Sequence, residues 1–186
     1  MTWKEYVQKT INKKAYRLLE KAADLAKPGR ALDLGAGALG DSKYLVAKGY
    51  QVTAVDSEAS VENLAIGIPN LEVVVLPMEN FVPNHKYDLI NAQYSLPFVS
   101  AEHFWEVISM IAESLKEGGV VCATFFGPED EWRDDPELTF VSKNELVDKF
   151  TTYNLTIVNL EEEKGFSGTA AGANKFWHVF HIIARK

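Results

Sequence analysis

Ala31-Leu32-Asp33-Leu34-Gly35-Ala36-Gly37-Ala38-Leu39-Gly40 is the stretch from which the architecture is read. Its apolar start, Ala31 to Leu34, reads as a short buried strand, and the glycines behind it end that strand in a tight turn. A helical stretch then runs to Gly49, Gln51 to Val55 reads as a second strand, a helix opens after Ser57, and Leu71 to Leu76 reads as a third strand. The order is βαβαβ, the unit of a parallel sheet covered by helices.

The alternation continues downstream. Tyr87 to Asn91 reads as a strand, and Ser100 is placed to cap a helix whose apolar face is Phe104, Val107, Ile108, Ile111 and Leu115, with Gly118 and Gly119 expected to close it. Val120 to Phe126 is nearly continuous in apolar residues, as a central strand buried on both faces should be. Ser142 and Glu145 form a capping box before a short helix ending at Phe150. Leu155 to Leu160 and Phe176 to Ala184 are strand candidates joined by the glycine-rich segment Gly165 to Asn174, with no helix between them, so they should pair antiparallel. Upstream, Val7, Ile11, Ala15, Leu18, Ala22 and Leu25 predict one amphipathic helix over Trp3 to Leu25, stopped by Pro28 and Gly29. The expected fold is α/β: a doubly wound, mostly parallel, seven-stranded, Rossmann-like sheet with an antiparallel C-terminal strand. Residues 1–27 form an N-terminal helix or lid and residues 28–186 the core of a single domain.

The chain has 186 residues, 47% of them hydrophobic and 24% charged, which suits one globular domain. No apolar run approaches the ~20 residues of a membrane span. The net charge of -7 disfavours a partner bound through its phosphate backbone, so a nucleic-acid partner is not expected. The first 30 residues run the other way, with eight basic side chains against Glu5, Glu20 and Asp24, a stripe read as a solvated helix face. Cys122 is the one cysteine, so there is no internal disulfide and no multi-cysteine zinc site; no metal is expected. The N-terminus lacks the apolar core of a secretory signal, and the expected compartment is the cytoplasm. The sequence leaves the oligomeric state open.

The glycine loop points to a nucleoside. In doubly wound sheets the ligand crevice lies at the carboxyl ends of the strands, and here a G-x-G-x-x-G pattern sits between a strand and a helix. Asp56, at the end of the second strand, is placed to accept hydrogen bonds from both ribose hydroxyls. Charge selects among nucleosides. A dinucleotide would set its pyrophosphate near Asp33 and be repelled, whereas S-adenosylmethionine carries a sulfonium and an ammonium and no phosphate. A nicotinamide-dependent oxidoreductase shares the loop and Asp56 but fits Asp33 poorly.

These residues resemble a known family. Ala31 to Gly37 is similar to the first motif of class I S-adenosylmethionine-dependent methyltransferases, and Val52 to Asp56 to their acidic second strand. The resemblance extends through Leu76-Pro77-Met78-Glu79-Asn80-Phe81, Tyr87 to Phe98 and Leu115 to Gly119, spanning residues 30–126 with the motifs in family order. It implies that Gly35 and Gly37 adjoin the methionine part of the cofactor, that Asp33 and Asn91 flank its amino end, that Asp56 takes the ribose and that Met78 and Glu79 meet adenine. The product would be S-adenosylhomocysteine. Two departures stand out. Leu39 occupies the place of the family's third glycine, with Gly40 one step later. Asn91-Ala92-Gln93-Tyr94 matches the Asn-Pro-Pro-Tyr of nucleic-acid amino methyltransferases only at its ends, so base methylation is not read from it.

The acceptor side is less defined. The loop Gly127 to Phe140 is acidic, and within it Trp132 offers an aromatic wall and Arg133 an anionic clamp, while Tyr94 falls where the transferred methyl is faced in related enzymes. Tyr94 is the candidate catalytic residue; Tyr94, Trp132 and Arg133 are the candidate substrate contacts. His178 and His181 fall on opposite faces of one strand and cannot both line one site. A methyltransferase acting on a small molecule is the function expected, with a binding module that keeps the cofactor without turnover as the alternative.

Overall fold

The structure is a computed structural model that describes residues 2–170 and 172–186. Strands β1 (Arg30–Leu34), β2 (Gln51–Asp56), β3 (Leu71–Val75), β4 (Tyr87–Ala92), β5 (Leu115–Phe126), β6 (Thr156–Gly168) and β7 (Asn174–Arg185) form one sheet in the order β3-β2-β1-β4-β5-β7-β6. Pairing is parallel from β3 through β5, and β7 runs antiparallel to both of its neighbours. The order reverses between β1 and β4, the switch point at which such sheets open a crevice.

Helices α1 (Trp3–Thr10), α2 (Arg17–Leu25), α3 (Gly40–Ala47), α4 (Val61–Ala65), α5 (Phe104–Ser114) and α6 (Lys143–Thr152) complete the fold. One sheet face is buried by α5 and α6, through Phe104, Ile108, Ile111, Leu146 and Phe150 packed against Ile90, Val121, Phe125 and Phe180. The other is buried by Leu18, Leu19 and Ala22 of α2 against Ala31, Leu89, Cys122 and Ile183. Both faces of β1, β4 and β5 are therefore apolar along most of their length, which is why those strands read as apolar runs.

Three expectations are corrected. The single helix over Trp3 to Leu25 is two helices, because the Tyr16 backbone N–H donates to Asp41 Oδ1 at 3.3 Å and its ring packs on Tyr94, contacts that an uninterrupted helix would not make. Gly118 and Gly119 do not close α5, which ends at Ser114; they lie at the start of β5. Gly165 to Gly168 are strand and not loop, since Gly165 pairs with Trp177 and Phe166 with Phe176, and the hairpin turn begins only at Thr169.

The missing third glycine has a local solution. Leu39 itself takes the left-handed backbone, φ 62°, ahead of α3. That conformation costs a non-glycine residue about 1–2 kcal/mol, and the fully buried Leu39 side chain, packed with Ala36, Ala54 and Val61, offsets it.

Candidate active site

The parallel pairing sets Asp33 beside Asn91 and Asn91 beside Cys122, so three polar side chains meet at the carboxyl edge of the central strands. Asn91 Nδ2 donates to Asp33 Oδ1 at 2.8 Å and to Asp41 Oδ2 at 3.0 Å. The Cys122 thiol donates to Asn91 Oδ1 at 3.2 Å, which fixes the direction of the amide, and the Ser42 hydroxyl donates to the other oxygen of Asp33 at 2.5 Å. Burial, followed by the nearby Asp41 charge, raises the Asp33 carboxyl to about 7; burial also raises Asp41. The Cys122 thiol is pushed well up by burial and stays protonated. None of the ion pairs among the described residues includes Asp33 or Asp41.

The glycine turn lies against this cluster. Gly35 and Gly37 have φ of 72° and 53°, and a Cβ would stand 2.3 Å from the Ser95 Cβ at the first and 2.7 Å from the Tyr6 hydroxyl at the second. A side chain would clash with Ser95 at the first place, and at the second it would strain the backbone and displace the Tyr6 hydroxyl. On the far side of the turn, Asp56 Oδ2 accepts the Gly37 N–H at 2.8 Å and Oδ1 accepts the Glu58 N–H at 3.0 Å. Each oxygen keeps a lone pair for a further donor.

Two adjoining cavities open at this edge. The first, about 530 Å³, is lined by Asp33, Asp41, Asn91, Gln93 and Glu163, by the basic Lys13 and Lys14, and by the aromatic side chains of Tyr6, Tyr16, Tyr94, Phe98, Phe126, Trp132 and Trp177. The second is lined by Gly37, Asp56, Glu58, Met78, Glu79 and Ser95. Tyr6, Gly35, Tyr94 and Phe98 border both. Tyr94 has a left-handed backbone, φ 53°, and its ring contacts Tyr16, Trp177 and His181. Burial lifts its phenol to about 12. A strained tyrosine at the junction of two cavities is the kind of outlier that marks a working position.

The expected residues thus divide between the cavities: Asp33 and Asn91 in the first, Gly37, Asp56, Met78 and Glu79 in the second, with Gly35 between them. Trp132 lines the first cavity, but Arg133 does not; its side chain is 55% exposed, with Asp134 4.0 Å away. His178 and His181 line neither. His178 is held inside the fold, its Nδ1 accepting the Glu129 N–H at 3.0 Å and its Nε2 3.1 Å from Glu162. Sequence reasoning missed Asp41, Gln93, Glu163 and Tyr16. Gln93 Oε1 accepts from Thr124 at 2.9 Å, while its buried Nε2 has no hydrogen-bond partner. Among the described residues no helix is long and apolar enough to cross a membrane, and no three His, Cys, Asp or Glu side chains converge as a metal site.

Comparison with known proteins places this geometry. The family whose model matches the chain, over residues 2–173, is described as tellurite resistance protein TehB. A search of curated proteins returns no match. Among solved structures, TehB from Haemophilus influenzae superposes with a TM-score of 0.80 at 18% identity, covering 97% of this chain; the chain spans 65% of that protein's length. The 1,6-didemethyltoxoflavin-N1-methyltransferase of Burkholderia thailandensis, crystallised with 1,6-didemethyltoxoflavin and S-adenosylhomocysteine, gives 0.68 at 19% identity over 91% of this chain and 78% of that one. The N-methyltransferase NodS of Bradyrhizobium japonicum, in complex with S-adenosylhomocysteine, gives 0.70 at 13% identity, 91% and 84%. At these identities the likeness is one of fold.

Proposed function

The chain belongs to the TehB family and has the class I methyltransferase fold, and from that premise we propose that it is an S-adenosylmethionine-dependent methyltransferase acting on a small-molecule acceptor. The observation that carries this reading is acid at both ends of one glycine turn: Asp33 with Asp41 in one cavity and Asp56 in the next. The residues fit the cofactor, because the turn leaves open backbone at Gly35 and Gly37 and, among the described residues, no ion pair sets a protein cation on Asp33 or Asp41. A pyrophosphate there would meet two buried carboxyls.

In this reading Asp56, already steadied by two backbone N–H groups, takes the ribose hydroxyls, and Met78 with Glu79 borders adenine. Asp33, Asp41 and Asn91 form the end that receives an ammonium. S-adenosylmethionine, when bound, supplies an electrophilic methyl on a sulfonium. The chain's own task is then alignment: Tyr94 and Phe98 at the junction, roofed by Tyr6 and Tyr16, hold the acceptor and exclude water. Proximity and desolvation supply much of the rate of an in-line displacement, so no strong base is demanded. The first cavity, about 530 Å³, has room for a small acceptor, and because Asp33, Asp41 and Glu163 stand beside Lys13 and Lys14 in its lining it offers no basic excess to a polyanion, which argues against nucleic acid.

Calorimetry tests the cofactor: S-adenosylhomocysteine should bind at micromolar concentration and NAD should not. With methyl-labelled S-adenosylmethionine, separate arms offering tellurite, a small-metabolite extract, tRNA, duplex DNA and mixed protein test the acceptor. Label confined to nucleic acid or protein would refute the small-molecule reading.

A further inference from the structure

Lys175, in β7, is 2% exposed, an unusual place for a charged side chain. Its Nζ stands 3.6 Å from the ring centroid of Trp132, 3.9 Å from that of Trp177 and 5.0 Å from that of Phe126. The ammonium is paired with the fully buried carboxylate of Asp130. Asp130 also accepts the backbone N–H groups of Trp132 and His178, at 3.0 and 3.1 Å. One carboxylate therefore pins the loop that carries Trp132 to the strand that carries Trp177.

The three rings that surround this ammonium also line the first cavity, and Lys175 itself does not. An aromatic face attracts a cation through its quadrupole, and a face already covered by an ammonium is closed to a second one. What Trp132 and Trp177 offer the cavity is the remaining face and the edges. An uncharged ring can stack there in offset or edge-on geometry. A second ammonium would sit across one ring's thickness from the first, inside a medium of low dielectric.

We propose that the Lys175–Asp130 pair is a specificity device: by filling the aromatic cage from within, it makes the Trp132–Trp177 wall of the acceptor cavity, as distinct from its Asp33–Asp41 end, select neutral, flat aromatic molecules over ammonium-bearing ones. The word acceptor rests on the methyl-transfer reading; the binding preference does not. Burial pulls the Lys175 ammonium below its usual range while Asp130 beside it opposes that fall, so the cage occupant is held as a pair.

The test follows the indole N–H signals of Trp132 and Trp177 by heteronuclear NMR while the protein is titrated with 2-naphthol or with tetramethylammonium. In the wild type, 2-naphthol should move both signals and tetramethylammonium neither. Lys175→Met, which keeps an apolar stem without the charge, should gain tetramethylammonium binding by about tenfold or more, the scale of one desolvated cation–π contact. Should the lone buried Asp130 unfold that variant, Lys175→Met with Asp130→Asn carries the same arm without the unpaired charge. Tetramethylammonium moving the two wild-type signals as it does in the variant, or 2-naphthol moving neither, overturns the proposal. S-adenosylhomocysteine binding is measured on the same samples, and its failure beside an intact naphthol preference would refute the methyl-transfer reading alone.

Discussion

Asp33 and Asp41 are bonded by a single amide group, the Asn91 Nδ2, at 2.8 and 3.0 Å, and that shared donor is what two like charges have between them. The consequence is a pH-dependent stability. Asp33 sits at about 7 in the folded protein against 3.8 ordinarily, so between about pH 4 and 7 the unfolded chain has released a proton that the folded chain still holds. Stability from this group is full below pH 4 and is lost as pH rises through 7. Asp33→Asn removes the effect, so its melting temperature relative to wild type should climb between pH 4 and 7 and level off above. A constant difference across that range would show that Asp33 ionises normally. The same variant should bind S-adenosylhomocysteine more weakly, because the acid that destabilises the free fold is the one placed to meet an ammonium.

Asp56 has two tasks, and two substitutions separate them. Asp56→Ala removes the partners of the Gly37 and Glu58 N–H groups together with the ribose acceptors, and should weaken S-adenosylhomocysteine binding by about 2–4 kcal/mol in calorimetry. Asp56→Asn keeps one acceptor oxygen and should lose less. Unchanged affinity in a folded Asp56→Ala protein would move the ribose elsewhere.

Leu39 tests whether backbone strain or burial governs the glycine turn. Leu39→Gly relieves a left-handed leucine worth about 1–2 kcal/mol but empties a fully buried site, where large-to-small changes cost about 2–5 kcal/mol. Urea unfolding should therefore show a net loss, of up to about 4 kcal/mol when the strain relieved is set against the burial lost. A gain in stability would mean that strain dominates.

What could be read from the sequence is what local pattern determines. The apolar runs of β1, β4 and β5, the turn at Gly35 and Gly37, and Asp56 at a strand end all follow from neighbours a few residues apart. Asp41 could not be found that way, because its meeting with Asn91 spans 50 residues and exists only once β1 and β4 pair. The break at Tyr16 was hidden for the same reason: the bond to Asp41 that accompanies it spans 25 residues, and helical periodicity carries no trace of it. Lys175 falls between the segment ending at Asn174 and the strand candidate starting at Phe176 and drew no reading, since its partner Asp130 and the Trp132 and Phe126 rings come from distant segments. The strand expected to end at Leu160 runs on to Gly168, because its far half pairs with β7 across a hairpin whose length composition does not reveal.

Tyr94 borders both cavities, and its phenol separates two mechanisms. If the hydroxyl acted as a tyrosinate base, the rate would rise with pH toward its ionisation. Burial holds that ionisation at about 12, so up to pH 10 the phenol stays protonated and can serve only as a hydrogen-bond donor or as a ring. The rate attributable to Tyr94 should then be flat between pH 7 and 10. Tyr94→Phe keeps the ring contacts with Tyr16, Trp177 and His181 and removes the hydroxyl, so S-adenosylhomocysteine affinity should hold. Loss of one orienting hydrogen bond should lower kcat/KM by about tenfold, in line with about 1–1.5 kcal/mol for a neutral bond. A wild-type rate that climbs with pH and flattens in Tyr94→Phe would restore the base. An unchanged kcat/KM in Tyr94→Phe would assign the position to its ring alone, and the left-handed backbone that turns that ring toward Tyr16 and Trp177 would then be the feature that matters there.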